Sequence, residues 1–370
     1  RDALLRSREI RAIRDPNPLV EFGLHRVLVA LVDDLLADTD RTDREPEDLR
    51  TLIDDGPEPL DFEGYFARCG DVWDLFHPVR PFLQTAATPG ESKPIAAISP
   101  TVPSGTNVAL FHHSKESEVT VTVAEAAGLL TTIAPFMTAG GAGLAPSVNG
   151  APAIYVMPEG RTLWETLILN LPGEQRGSGP GRVAWRDERL PGGERTFATM
   201  GEALTWRPRQ VRLDPPEEGR VRTMRFGRGD GTRFFFADPN LAYRTNAKDE
   251  IVPIRMREGR PFWRDAGPLT MLSKAGGYAT AFKDRYERPA VVTQSAALGG
   301  GFVHRCRLYA MRTDLKMKVF EWTVAELELP SFADDPDLTA TYQRKMDCAD
   351  LAARALRTAV RHLFPREGEG

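Results

Sequence analysis

Residues 121–143 read VTVAEAAGLLTTIAPFMTAGGAG, a helix pattern followed at once by nearly bare backbone. Thr122 with Glu125 three positions on is the spacing of a capping box, in which each side chain accepts a bond from the other's backbone N–H. Ala126, Leu129, Leu130 and Ile133 supply an apolar stripe at helical spacing. Pro135 is expected to end the helix, because it lacks the N–H that the ladder needs. From Phe136 to Ala153 the chain carries four Gly, five Ala and no charge. Glycine permits positive φ and close approach of backbone to another group. The stretch is not a phosphate cradle: no Gly-Lys-Ser/Thr follows Gly140–Gly143, and Gly141-Ala142-Gly143 lacks the third Gly of a dinucleotide fingerprint. A plain surface loop is the alternative.

Outward from this stretch, helix and strand signals alternate. PLVEFGLHRVLVALVDDLLAD (18–38) reads as an amphipathic helix with Leu19, Phe22, Val27, Leu31 and Leu35 on its apolar face. Residues 38–60 are acidic and Pro-punctuated, a loop or short polar helix. GYFARCGDVWDLF (64–76) is helical up to His77-Pro78, and the prolines over 77–106 predict largely extended loop. APAIYVMPEG (151–160) predicts a strand and turn, and Thr162 with Glu165 caps a second helix that Pro172 closes. Residues 173–196, rich in Gly, Arg and Pro, read as mobile. From 197 to 264, TRFFFAD and EIVPIRM predict a small β-rich unit; GRGDGTR within it is a turn cluster. A β signal stands at 290–294, and VHRCRLYAMRTDLKMKVFEW (303–322) predicts paired strands. In the last segment Tyr342, Met346, Ala349, Ala353, Leu356, Val360 and Leu363 are spaced 4-3-4-3-4-3, a helix built to pack along another helix. The fold class expected is α+β. It comprises a mixed domain of small β-sheets and helices over 1–332 and the first helix of a C-terminal helical bundle over 333–370.

At 370 residues, 41% hydrophobic, the chain is long enough to bury a sizeable core. Its net charge of −4 excludes an overall polycationic character. The charge is unevenly placed. Residues 1–74 carry 10 Arg/Lys against 19 Asp/Glu, and 176–264 carry 19 against 12, so a polyanion-facing surface is expected on the middle segment only. The three cysteines, Cys69, Cys306 and Cys348, are far apart and odd in number. They give no disulfide framework and no Cys-x-x-Cys zinc site, which fits a reducing cytoplasm. No apolar run is long enough for a membrane span. The first residue is Arg1, not Met, so the natural N-terminus is expected to precede it.

The residues do not assemble into an active site. There is no Gly-x-Ser-x-Gly elbow and no His-Glu-x-x-His, and His77 before Pro78 reads as a turn residue. His112-His113 is the one histidine pair, but neighbours on an extended strand point to opposite faces. No catalytic residue, metal or cofactor is therefore expected. Two rival readings stay open: a metal-dependent nuclease or phosphoesterase using His112 and His113, and a structural scaffold.

FHPVRPFLQT (76–85), VPSGTN (102–107), AEAAGLLTTIAPFMTAGGAG (124–143), TLWETLILNLP (162–172), TWRPRQVRL (205–213), GPLTMLSKAGGY (267–278) and TDLKMKVFEW (313–322) occur in this order. Together they resemble the CasA family, large subunits of the type I-E CRISPR surveillance complex Cascade. The resemblance runs from about residue 17 to the end. It implies a non-catalytic subunit that recognises the protospacer-adjacent motif on double-stranded DNA and contacts the 5′ handle of the guide RNA. Such a subunit also helps open the duplex, binds other Cascade subunits and recruits the helicase–nuclease. By resemblance Gly140, Gly141, Ala142 and Gly143 form a glycine loop for the minor groove, with Lys248 a second motif-reading residue. Ala279, Thr280, Phe282 and Lys283 stand at the duplex wedge, where Phe282 falls near a glutamine of the family. Asn107, Phe111 and His112 fall at the guide-RNA handle. Two departures are visible: the family's opening segment is not recognisable, and one helix stands where the family has a four-helix bundle.

Overall fold

The computed structural model describes residues 1–39, 41, 44–99, 119–140, 143–173, 183–271, 286–298, 305–314, 319–329 and 334–363. Among them the helices are α1 (Asp2–Leu5), α2 (Pro18–Asp38), α3 (Pro46–Asp55), α4 (Phe62–Cys69), α5 (Val123–Phe136), α6 (Leu163–Leu169), α7 (Met200–Leu204), α8 (Ala266–Thr270), α9 (Ala290–Ala297) and α10 (Pro336–Leu363). The strands are β1 (Ser92–Pro94), β2 (Val121–Thr122), β3 (Tyr155–Glu159), β4 (Glu194–Arg195), β5 (Arg209–Leu213), β6 (Arg220–Val221), β7 (Thr223–Arg228), β8 (Gly231–Thr232), β9 (Tyr243–Thr245), β10 (Ile251–Pro253), β11 (Tyr286–Glu287), β12 (Arg305–Thr313) and β13 (Val319–Glu328). They form small sheets ordered β1-β7-β5, β10-β9-β11, β13-β12-β3, β2-β6 and β4-β8. The class is α+β, as expected.

Helix α2 organises the core. Asn17 caps it by accepting from Leu19 N at 3.0 Å, and Pro18 fits the first helical position because its missing N–H is not needed there. The expected amphipathic helix is instead buried nearly all round: Leu19, Phe22, Leu31 and Leu35 are buried, Val27 is half-buried, and Glu21, His25, Arg26 and Asp34 are buried as well. The reason is position, since α5, α6, α7, β12 and β13 all pack against it. At its crossing with α5, a Cβ on Gly23 would lie 2.4 Å from Thr131 Oγ1 and 2.7 Å from the Thr131 carbonyl oxygen. Only glycine lets the two helices meet this closely.

Helix α5 begins as its sequence requires. Thr122 N donates to Glu125 Oε2 at 2.7 Å and Glu125 N donates to Thr122 Oγ1 at 3.2 Å. Pro135 lies inside the helix and Phe136 is its last residue, one position beyond the expected stop. Thr162 caps α6 through Glu165 N, while Glu165 reaches the Arg161 backbone N–H instead.

Several expectations are corrected. The β signal at 290–294 is helix α9: Pro289 starts it, and Val291 and Val292 are buried on the face that meets β3 and α6. Tertiary burial outweighs the β preference of two valines. Of the two alternatives left open for 38–60, a loop or a short polar helix, Pro46–Asp55 takes the helix, α3, with Leu49, Leu52 and Ile53 buried. The helix of 64–76 spans Phe62–Cys69 and continues as a 3-10 turn over Gly70–Trp73. Within the loop expected over 77–106, β1 and a 3-10 turn (Ile95–Ile98) are ordered elements. Of 173–196, the part from 183 onward is anchored: Val183 and Trp185 are buried, and Trp185 Nε1 donates to Tyr65 OH at 2.9 Å. TRFFFAD is strand only at Thr232. Nor is 197–264 a separate β unit, since its sheets take β1, β2, β4 and β11 from outside it. The paired strands β12 and β13 are present, in register Tyr309↔Val324, and β3 adds to the other side of β12. Along α10, Tyr342, Met346 and Ala349 are half-buried and Arg260 and Arg264 pair with Asp350, whereas Leu356, Val360 and Leu363 are exposed.

Candidate nucleic-acid interface

The backbone leaving α5 makes a tight excursion before returning to β3. Ser147 N donates to Met137 O at 2.8 Å and closes its base; Gly140 N donates to Leu144 O at 3.2 Å. Gly143 has φ +78° and Gly150 φ +79°, a region where a side chain clashes with the neighbouring carbonyl. At Gly140 the space is tight. A Cβ there would lie 3.0 Å from Arg209 Nη2 and 3.1 Å from Leu144 Cδ1. Gly141 and Ala142 lie outside the described residues.

Two buried polar groups hold this loop. Arg209, the first residue of β5, donates from Nη2 to Thr138 O at 2.7 Å and from Nη1 to Ala145 O, one carbonyl on each side of the tip. Its guanidinium also lies over the Phe226 ring, 5.5 Å from the centroid. No carboxylate pairs with it among the described residues, and burial alone pulls its pKa down to about 10. Asp238 is the second anchor. It accepts from Asn149 Nδ2 at 3.0 Å, from Arg26 Nη2 at 2.6 Å and from Asn240 N at 3.1 Å, tying the loop's far side to α2. Arg255 Nε adds a bond to Ala151 O at 3.2 Å.

The entry to β5 is set by the turn within GRGDGTR. Gly229 N donates to Pro208 O and Asp230 N to Arg207 O, and a Cβ on Gly229 would strike the Arg207 carbonyl at 2.2 Å. Buried Asp230 accepts both arms of Arg189, at 3.0 and 2.7 Å, so this Arg-Gly-Asp is a structural turn. Beside the loop lies a small exposed cluster of charges. Arg228, opposite Arg209 in the β5–β7 register, would stand 3.9 Å from a Cβ on Gly143. It shares one carboxylate, Glu194, with Arg233, at 3.4 and 3.5 Å, so this exposed cluster keeps one positive charge in excess. Bare backbone beside excess positive charge suits a polyanion whose groove admits backbone but few side chains.

Of the residues expected from sequence, the structure brings Gly140 and Gly143 together in this loop. Lys248 sits in the β9–β10 turn, where its N–H donates to Asn246 Oδ1 at 2.9 Å and its side chain makes no ion pair among the described residues. Asn107, Phe111, His112, His113, Ala279, Thr280, Phe282 and Lys283 lie outside the described residues. His77 is a turn residue, its Nδ1 accepting from Val79 N and Arg80 N. Among the described residues the three cysteines are free, no group of His, Cys, Asp and Glu could hold a metal ion, and no helix is long and apolar enough to cross a membrane. Sequence reasoning missed Arg209, Asp238 and Asn149. Arg209 had one signal: it opens a strand whose buried positions otherwise carry Val211 and Leu213.

Residues 1–369 match the family model described as CRISPR-associated protein Cse1. The chain belongs to the Cse1 family. A CRISPR-associated protein CasA/Cse1 from Thermus thermophilus is 34% identical over 303 residues, which is 77% of this chain and 58% of that protein. This Cse1 chain thus spans little more than half the length of that relative. The crystal structure of CasA from Thermus thermophilus superposes with a TM-score of 0.77 at 26% identity, over 96% of this chain and 73% of that one. Cse1 from Acidimicrobium ferrooxidans matches with a TM-score of 0.72 at 22% identity, over 96% and 72%. A subunit of a CRISPR RNA-guided surveillance complex matches with 0.77 at 21%, over 100% and 79%. The last two extend the likeness of fold to this Cse1 chain.

Proposed function

We propose that this chain is the large subunit of an RNA-guided CRISPR surveillance complex, where it recognises a short motif on duplex DNA beside the target. The protein reads the motif and leaves the rest of the sequence to base pairing with the guide. The glycine loop between α5 and β3 is the reading element. The minor groove is about 6 Å wide, so backbone N–H and C=O groups reach base edges that bulky side chains could not. Its hydrogen-bond pattern is degenerate, and recognition by such a loop is therefore tolerant. The observation that carries this reading is the loop itself: glycine is favoured at Gly143 by φ, a side chain at Gly140 would press on Arg209 and Leu144, and Arg209 and Asp238 hold the loop from inside the protein. Contact with the guide-RNA handle through Asn107, Phe111 and His112, duplex opening by the segment around Phe282, and recruitment of a helicase–nuclease belong to the same proposal. So does the role of Lys248. The chain acts by binding and catalyses nothing itself.

The test is to add the chain to a guide-loaded complex lacking its large subunit and to measure duplex affinity across all flanking trinucleotides. Restored, flank-dependent binding is expected. Gly143→Val should reduce the preference between best and worst flank by about tenfold or more, the size of one base-edge interaction, with assembly unchanged. Wild-type preference in Gly143→Val would leave the glycine loop a plain loop.

A further inference from the structure

The face of β5 that turns inward carries Arg209, Val211 and Leu213 in alternation, all buried. Two of these positions hold the apolar residue that a strand's inward face calls for, and the first holds an arginine. Isolated charge is disfavoured in such surroundings. Arg26, equally buried and lining the same small cavity, shows the usual remedy, a bidentate pair with Asp238 at 2.6 and 3.3 Å. Arg209 has no such partner among the described residues. Its Nη1 and Nη2 donate to three backbone carbonyls, Pro208, Thr138 and Ala145, its buried Nε has no partner among the described residues, and its ring contact is with Phe226. It also stands directly opposite Arg228, and like charges paired across strands are unfavourable. Stability would favour another residue here.

We propose that Arg209 is a positioning residue for the glycine loop, holding its two shoulders, Thr138 and Ala145, at a fixed separation from beneath. The guanidinium fork is what makes this possible. It is planar and rigid, so two of its nitrogens address two carbonyls at one spacing, which a lysine ammonium does not reproduce. Gly140 lies against the same group: a Cβ there would stand 3.0 Å from Nη2 and press on it. Burial lowers the Arg209 pKa to about 10, so the group is still charged at neutral pH and makes both loop bonds as a guanidinium. This rests on the reading of the loop as the motif-contacting element, and its test has a readout that does not depend on that reading.

The experiment compares wild type, Arg209→Gln, Arg209→Lys and Gly143→Val in the assembled complex by amide hydrogen exchange and by duplex affinity across flanking trinucleotides at several salt concentrations. In Arg209→Gln the Gly140 and Ser147 amides should exchange about tenfold faster, because they open with the loop, while β5 and β7 amides stay protected. The preference between flanks should collapse. The slope of log affinity on log salt should stay within about one unit of wild type, since a residue beneath the loop neutralises no phosphate. Arg209→Lys keeps charge and volume should the glutamine variant not assemble; it should lose flank preference in part, holding one shoulder of two. Unchanged loop exchange in the lysine and glutamine variants overturns the positioning role. Faster exchange with intact flank preference, where Gly143→Val loses it, overturns its relevance to reading. If no variant alters flank preference, the glycine-loop reading itself has failed, and the exchange data still decide whether Arg209 holds the loop.

Discussion

His25 occupies the inward side of α2 with its Nδ1 bonded to the Glu21 carbonyl at 2.8 Å. Burial opposes the charged imidazolium and pulls its pKa below the ordinary value, although Glu21 and Glu159 nearby act in the other direction and Arg14 with the burial. The folded chain therefore takes up this proton at lower pH than the unfolded chain does. Where the unfolded state binds more protons, stability rises with pH. The contribution of His25 is whole above its unfolded pKa of about 6.5 and is lost as pH falls through that value toward the folded one. Urea denaturation at about pH 7.5 and about pH 5 should show a smaller midpoint at the lower pH, and His25→Gln should narrow the difference. An equal drop in both proteins would place the acid sensitivity elsewhere in the chain.

The crossing of α2 and α5 determines where the glycine loop starts, because the loop leaves α5 less than two turns beyond Thr131. At the crossing Gly23 meets both the side chain and the backbone of Thr131, so an added methyl has no flexible neighbour to displace. Gly23→Ala should improve intrinsic helix propensity by up to about 1 kcal/mol. It should nevertheless destabilise the chain, by about 1–3 kcal/mol, as overpacking outweighs propensity. Thermal denaturation would check this; a raised midpoint would mean that the helices separate freely. The capping box of α5 was easier to read than this contact, since Thr122–Glu125 is a short-range pair written in the sequence itself; α7 carries a box at the same spacing, Thr199–Glu202, that sequence reasoning missed.

On the scale of the whole molecule, charge separates by region. The acidic first segment carries Asp33, Asp34, Asp38 and Glu21, and these are consumed internally by Arg44, Arg186 and Arg307. The arginine-rich middle is largely consumed too: Arg189, Arg195 and Arg207 all pair with carboxylates. Counting residues in the sequence therefore overstates the basic surface, and what is left beside the glycine loop is the cluster of Arg228 and Arg233 around Glu194. Replacing both arginines by Gln should weaken duplex binding evenly across flanks and reduce the salt slope by about one unit for each phosphate no longer neutralised. A change confined to particular flanks would instead assign them to base reading. Folding should be little affected, because exposed pairs contribute about 0–1 kcal/mol.

The boundaries of α2, the capping of α5, the paired strands β12 and β13 and the final helix were determined by the sequence alone, because each is encoded by neighbours a few positions apart. The glycine loop was legible for the same reason, as a run with no side chains to bury. The helix at 290–297, the anchoring of 183–196 and the sharing of strands among sheets were decided only by the tertiary structure, where burial against distant elements outweighs local preference. So was the device beneath the loop. Arg209 is separated from Thr138 by more than seventy residues and Asp238 from Asn149 by almost ninety, and bonds made by side chains across such spans leave no periodicity to read.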